Sequence, residues 1–398
     1  MIRLLLVIAA ACAAAAEAPS ATAAAPVLPK VAALSPAASA ALARADELQA
    51  RYFPDLLALA PGHEAPGRHL RDPLHRMDSP FVGPAASDVA VEVRKVTWFS
   101  ALVFLPFLVI PQALLLYVIF RFRDRRDGRK PATFTGNHTI EVVWTAIPCL
   151  ALLIVSVPVW NLAWWMEDPP RERVAGGMRI EVIGSQFKWD YKYHKLGGDR
   201  RAEDEPAKPL EVGSGDMLQP EPLVLVKGRV VTLDMTSRDV NHAWWIPAFG
   251  VKQDTIIGRH THAWFTPIRT GFYKGQCAEL CGKDHGYMLI SAVVVEADQF
   301  EQEWVPVQRH RAAVGPVISA LRKQDEPAVA AAVAGFLAAG DDAERRLALH
   351  FWVANHFTLM ARTPTGLKPA QVAERAAAWR RFVAERSVQP AARQGAPS

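Results

Sequence analysis

Cysteine is scarce in this chain. Among 398 residues there are four, and two of them, Cys277 and Cys281, share the 14-residue stretch GQCAELCGKDHGYM. The sequence C-x-x-C-H occurs nowhere, so no covalent haem is expected. No acidic block stands out between 178 and 298, where 15 Lys or Arg face 16 Asp or Glu for a net of −1. Long helical periodicity is missing from the same stretch, which excludes a helical domain there. The formal charge of +5 and pI near 9.0 resemble those of a nucleic-acid or membrane-surface protein. The basic residues are too unevenly placed for that average to mean much, and no nucleic-acid partner is expected.

Apolar runs are present instead. Met1-Ile2-Arg3 followed by LLLVIAAACAAAA reads as a secretory signal, so residues 1–25 are expected to be removed, by cleavage after Ala16, Ala18 or Ala25. Cys12 offers a weak lipoprotein-type site. Residues 96–120 and 142–166 are two further apolar runs of 25 residues each. As helices they reach roughly 37 Å, enough to cross a hydrocarbon core of about 30 Å with some tilt. Pro106, Pro111, Pro148 and Pro158 mark expected kinks, and Trp98, Tyr117, Trp144, Trp160, Trp164 and Trp165 sit near the ends, where amphipathic rings favour the interface. The connection, residues 121–139, carries six Lys or Arg against Asp124 and Asp127. Short basic connections stay cytoplasmic, so residues 26–95 and everything after 166 are expected on the outer side.

Beyond the hairpin the texture changes. Segments 178–193, 223–237, 260–267, 271–277 and 287–296 are short and rich in β-branched and aromatic residues, with Gly-containing turns between them. This predicts a small β-sandwich of about 120 residues. Its ligand-rich loop places Cys277, Cys281, His285 and Met288 at intervals of four, four and three, and His242 ends an earlier strand 35 residues before Cys277. A disulfide between the two cysteines leaves His242, His285 and Met288 without a reason to cluster. Tetrahedral zinc on two Cys and two His leaves Met288 unused. Thiolate, imidazole and thioether together are copper's combination, and two thiolates in one loop can bridge two copper ions.

C-x-E-x-C-G-x-x-H-x-x-M, preceded by D-V-x-H-x-W and G-x-K-x-D, resembles subunit II of the haem–copper cytochrome c oxidases over roughly residues 96–298. TIEVVWTAIP (139–148) is similar to that family's E-x-x-W-T-x-x-P. Beyond the range of the resemblance, the helical spacing of 299–398 predicts a helical C-terminal extension. The resemblance implies a cupredoxin-like fold for the all-β sandwich (167–298) that follows the two-helix transmembrane hairpin (96–166). It implies a dinuclear CuA centre in which Cys277 and Cys281 bridge both coppers, with His242 and His285 on one copper each. Met288 then binds one copper weakly and the Glu279 carbonyl the other, while the Glu279 carboxylate reaches a magnesium ion shared with the catalytic subunit. Glu141 matches a glutamate at the mouth of a proton-uptake path, although a carboxylate beside a basic loop can also be simply solvated. The implied function is to pass electrons from cytochrome c to the haem–copper catalytic subunit, which reduces dioxygen to water with proton translocation, in a bacterial-type inner membrane. An input subunit of a nitric oxide reductase and a membrane-anchored copper chaperone are the alternatives.

One departure matters. Where the family has G-x-Q-W-x-W, with the first tryptophan receiving electrons, this chain has Phe187 and keeps only Trp189. Trp189, or the pair Trp244-Trp245, can stand in for it or simply pack the core. In the flanks, His63, His69 and His75 are expected to be solvated. Leu349, Trp352, Val353, Phe357 and Met360 predict one apolar helical stripe, with His350 and His356 as packing or surface residues.

Overall fold

The computed structural model describes residues 28–29, 34–53, 85–123, 135–169, 174–197, 209–212, 221–360 and 369–388. The expected signal, Cys12, the three histidines at 63, 69 and 75, and residues 124–134 of the basic connection lie outside them.

Helix α1 spans Pro36–Tyr52, and α2 (Asp88–Arg121) and α3 (His138–Glu167) are both long and apolar enough to cross a membrane. Each of the latter two is longer than its apolar run because a capped polar turn starts it. The Ser87 side chain accepts from Ala90 N and that of Asn137 from Ile140 N, satisfying amide groups that a helix start leaves unpaired. Large apolar side chains on both helices are exposed, as expected of surfaces meant for lipid or partner helices.

The start of α2 is bolted to the β domain. Ala86 N donates to Ala248 O (2.9 Å), Ser87 Oγ to Phe249 O (2.6 Å), and Thr266 N to Asp88 Oδ1 (2.8 Å). Gly250 has φ +69°, and a Cβ there would lie 2.6 Å from Ala90 Cα, so only glycine allows this approach. At the end of α3, Trp264 Nε1 donates to Met166 O (2.8 Å) and the Trp264 ring meets Trp165 edge-on at 4.9 Å.

The β domain is two five-stranded sheets. The strands are β1 (Met178–Ser185), β2 (Lys188–Lys195), β3 (Leu210–Val212), β4 (Leu223–Val226), β5 (Val231–Ser237), β6 (His242–Ile246), β7 (Val251–Thr255), β8 (Thr261–Phe265), β9 (Gly271–Cys277) and β10 (Leu289–Val295). One sheet runs β3-β2-β1-β5-β8 and the other β4-β10-β9-β6-β7. Strict alternation in β5 points Val231, Leu233 and Met235 inward, against fully buried Trp189, Trp244, Tyr191, Tyr193, Phe249 and Phe265. Segment 178–193 is two antiparallel strands, and 242–255 is a further antiparallel pair, β6 and β7. The sequence hid that second pair because Pro247 and Gly250 interrupt its pattern within a few residues.

The two flanks form a single helical bundle. From the sandwich a helical run passes through Ala297–Gln299 and a π turn (Phe300–Trp304) into α4 (Val305–Arg309). It is followed by α5 (Arg311–Lys323), α6 (Glu326–Ala338), α7 (Ala343–Met360) and α8 (Pro369–Val388). The expected apolar stripe on α7 is in fact an apolar girth. Every residue from 348 to 357 is buried, because α1, α4, α5 and α8 pack around it. The side chain of Met360 lies outside the described residues. Helix α1, from the N-terminal flank, is held by Glu303, which accepts from Arg44 Nη2 (2.6 Å) and Tyr52 OH (3.2 Å) and pairs with Arg51. Arg380 pairs with Asp46 at 2.5 Å, and Ser35 N donates to Glu385 Oε1 at 2.9 Å. The bundle grips the sandwich through the bidentate pair of Arg311 with Glu221, at 2.5 Å each, and through Trp304 against Tyr193 at 5.0 Å.

Two histidines are buried inside α7. Burial and the charges of Arg380 and Arg346 push His350 down to about 4, and its Nε2 lies 3.0 Å from Ser387 Oγ. Burial and Arg322 do the same to His356. Both therefore stay neutral where the unfolded chain, titrating near 6.5, takes up protons. Their contribution is intact above about pH 6.5 and is lost as pH falls towards 4. Hydrogen exchange of the full chain at pH 7.5 and pH 5 should show α7 and α8 losing protection at the lower pH while β5 and β9 hold theirs.

Candidate metal centre

Four strand ends meet at one rim of the sandwich. Strand β6 starts with His242, and β9 ends with Cys277, which is the register partner of Trp244. The loop between β9 and β10 is pinned at its base, where Cys277 N donates to Met288 O and Ala278 N to Ala243 O, both at 2.9 Å. A short 3-10 turn, His285–Tyr287, folds the rest of that loop back over the rim.

The donor atoms converge. Cys277 Sγ lies 3.8 Å from His242 Nδ1, 3.2 Å from the Glu279 carbonyl oxygen and 3.9 Å from Cys281 Sγ. Cys281 Sγ lies 3.4 Å from His285 Nδ1 and 3.8 Å from Met288 Sδ. Both cysteines are free thiols. His242, Cys277, Cys281 and Met288 are buried, His285 is half-buried, and Glu279 is exposed.

The acid–base chemistry of the pair resists two negative sulfurs. Burial pushes Cys277 up, but hydrogen bonding with His242 and the neighbouring backbone outweighs it and holds this thiol below its usual range. Burial and the adjacent Cys277 push Cys281 up to about 12. A bound cation is what allows both to be thiolates together. Two sulfurs, two imidazole nitrogens, a thioether and a carbonyl oxygen around one small volume fit a soft or borderline metal pair. The thioether, adjacent to a thiolate, has no use in a zinc site.

Residues that are not ligands orient those that are. Asp239 Oδ1 lies 2.9 Å from His242 Nε2, which turns Nδ1 towards Cys277. The same carboxylate accepts from Val240 N (2.7 Å) and Gln186 N (2.6 Å), and Gln186 Nε2 donates to the Cys281 carbonyl (2.6 Å). Gly282 has φ +138°, and a Cβ on it would come within 3.0 Å of Gln186 Nε2 and of the Phe187 ring. In the sequence Asp239 is visible only as a motif position, and its spacing of three from His242 is the one available signal of this bracket.

The other expected residues sit elsewhere. Trp189 is fully buried with its ring 5.9 Å from that of His242, so it walls the site and offers no face to a docked protein. Trp244 is likewise fully buried and stacks near Phe265, whereas Phe187 is half-buried beside Gly282. Glu141 lies in the first turn of α3, where its Oε1 accepts from Asn137 N at 3.1 Å. It caps that helix roughly 40 Å from the end that meets the sandwich.

Comparison with known proteins agrees with this arrangement. The family model described as cytochrome C oxidase subunit II, periplasmic domain, matches residues 178–297, and that of the transmembrane domain matches residues 80–162. Cytochrome c oxidase subunit 2 of Cereibacter sphaeroides is 31% identical over 236 residues, covering 54% of this chain and 76% of the relative. A probable cytochrome c oxidase subunit 2 of Rickettsia bellii is 31% identical, with 58% and 85% covered. The crystal structure of the periplasmic domain of subunit II of cytochrome oxidase from Bradyrhizobium japonicum shares 36% identity and covers 33% of this chain and 93% of its own, with a TM-score of 0.27.

Replacing Asp239 with alanine strands His242 Nε2 and Gln186 N together. Loss of such an outer partner typically weakens metal binding roughly 10–100-fold. Chelator competition against copper-loaded protein should therefore give a weaker affinity for Asp239→Ala. An unchanged affinity means that the strand alone orients His242.

Proposed function

Because the chain belongs to the cytochrome c oxidase subunit II family, we propose that its sulfur-lined rim is the CuA site through which electrons reach the oxidase. The chain is the electron-input subunit of a haem–copper oxidase, an oxidoreductase whose catalytic centre lies in a partner subunit, and it is anchored in a membrane by α2 and α3. In the residue assignment, Cys277, Cys281, His242, His285, Met288 and the Glu279 carbonyl would hold the metal pair. The observation that carries this is the convergence of all six donors on the two sulfurs, with Met288 Sδ 3.8 Å from Cys281 Sγ. When bound, the copper pair supplies one-electron redox chemistry.

The rest of the site serves that chemistry by staying still. Buried His242 cannot swing, since Asp239 fixes one nitrogen and Trp189 blocks one face. The exposed Glu279 carboxylate is available to a magnesium ion at the contact with the catalytic subunit. The six basic residues of 121–139 favour the arrangement with that connection in the cytoplasm and the sandwich on the outer side. The donor is a cytochrome c or a similar small redox protein. The near-neutral balance of residues 178–298 provides little long-range steering, so turnover should depend weakly on ionic strength. For the donor contact we favour Phe187 and the adjoining loop over fully buried Trp189.

Electron paramagnetic resonance of the copper-loaded protein tests the assignment. The expected spectrum has one unpaired electron shared equally by two coppers, and a single-copper signal would refute it. Cys277→Ser and Cys281→Ser should each abolish the shared signal. Met288→Leu should keep it and shift the reduction potential, because a thioether is a weak donor that would tune a copper site rather than hold it.

A further inference from the structure

The outer face of the sheet that carries β1, β5 and β8 holds a second group of metal-binding side chains, away from the sulfur rim. Asp234 on β5 is the register partner of His262 on β8, so both side chains leave the sheet on the same side. His260 precedes β8 by one residue and approaches from the same side, because two residues separate it from His262. Both imidazoles present Nδ1 to a single oxygen. Asp234 Oδ1 lies 2.8 Å from His260 Nδ1 and 3.8 Å from His262 Nδ1. Arg179 Nη2 lies 3.6 Å from the other carboxylate oxygen, Oδ2. The side chains of His260 and His262 are 59% and 73% exposed, so an ion reaches them without any opening of the fold.

We propose that Asp234, His260 and His262 form a surface site for one divalent ion of the zinc type. Donors about 2.0–2.1 Å from a tetrahedral ion stand about 3.3 Å from one another. Both rings stand near that value from the carboxylate oxygen, while their own nitrogens lie more than 4.8 Å apart, so a rotation that swings one exposed ring towards the other completes the donor set. The proton that His260 Nδ1 shares with Oδ1 passes to Nε2 on the solvent side, so the nitrogen lone pair faces the ion and no net charge is lost. One carboxylate and two imidazoles leave a fourth position for water, which is the donor set of an accessible zinc site rather than a closed structural one. Glu181, the register partner of Asp234 on β1, adds negative potential beside the site, tempered by Lys192 at 3.4 Å. The alternative is that Asp234 only pairs with the two rings, in which case no ion is retained.

The test uses the intact copper-loaded oxidase complex, so that the sulfur rim is already filled. Equilibrium dialysis against low-micromolar Zn2+ should leave one zinc fewer per complex in His260→Ala/His262→Ala than in the parent, with the copper spectrum of the two unchanged. Sites shared by both complexes cancel in that difference. His262→Gln, a change at a largely exposed position, should weaken the same zinc at least tenfold, and Asp234→Asn should do likewise. Equal zinc content in parent and double variant overturns the proposal, and so does parent-like binding by both single variants.

Discussion

The carboxylate of Asp239 is the tie on which the metal-binding rim depends. It reaches the turn between β1 and β2 through Gln186 N, its own loop through Val240 N, and the ligand His242 through Nε2. Gln186 then carries the connection onward to the Cys281 carbonyl. One side chain thus joins both sheets at the point where the sulfur loop crosses them. A buried imidazole with one nitrogen fixed has one nitrogen left to offer, and that is the nitrogen facing Cys277. Electron transfer rewards such an arrangement, because each ligand that moves on reduction adds to the energy of the step.

The same rigidity continues down to the membrane. Had α2 and α3 merely tethered the sandwich, the height and tilt of the rim would vary with the linkers. Instead the chain enters α2 through backbone bonds to the segment after β6 and to Thr266, and leaves α3 beneath Trp264. The α2 attachment reaches both sheets, through the segment after β6 and through Thr266 just after β8, while α3 meets β8 alone. Rotation about either helix alone would break the other. The geometry of the rim is therefore set relative to the bilayer, as it has to be for a subunit that hands electrons to a membrane-embedded partner.

How much of this could be read beforehand depended on the range of the interactions involved. The hairpin was legible because hydropathy over 25 residues is a local property that packing does not change. The five side-chain donors could be read because four of them fall in a 14-residue loop whose mixture of thiolate, imidazole and thioether suits little besides copper. Only His242 had to be brought from a distance, whereas the Glu279 carbonyl came from the family resemblance alone. What the rim's supports needed was register. That Gln186 would meet Asp239, or that a Cβ on Gly282 would strike Phe187, follows from the placement of two strand ends 50 or more residues apart in sequence, which no short pattern encodes. Trp189 was left open between an electron relay and core packing, because a motif does not say which way a strand residue faces, and strand alternation turns it inward beside His242.

The flanks were the least legible, and the reason is physical. The 17-residue α1 gave no signal because alanine makes up much of its buried face, and the helical spacing near the end says that a partner exists but not which one. The C-terminal helices pack on one another, and α1 closes the remaining side of α7. Together they enclose α7 on all sides, and the assembled bundle settles where the sandwich has its own unfinished edge. Strands β3 and β4 end their respective sheets on that side, with Tyr193 OH bonding to Val224 across the gap, and α4 lies against β3. An uncovered strand edge invites pairing with other chains, and a helix laid along it removes the hazard. Arg311, stacked on Trp352 at 4.6 Å while gripping Glu221, fastens this cover from both sides at once. The extra helices thus complete the sandwich on the side opposite the closed β7–β8 contact.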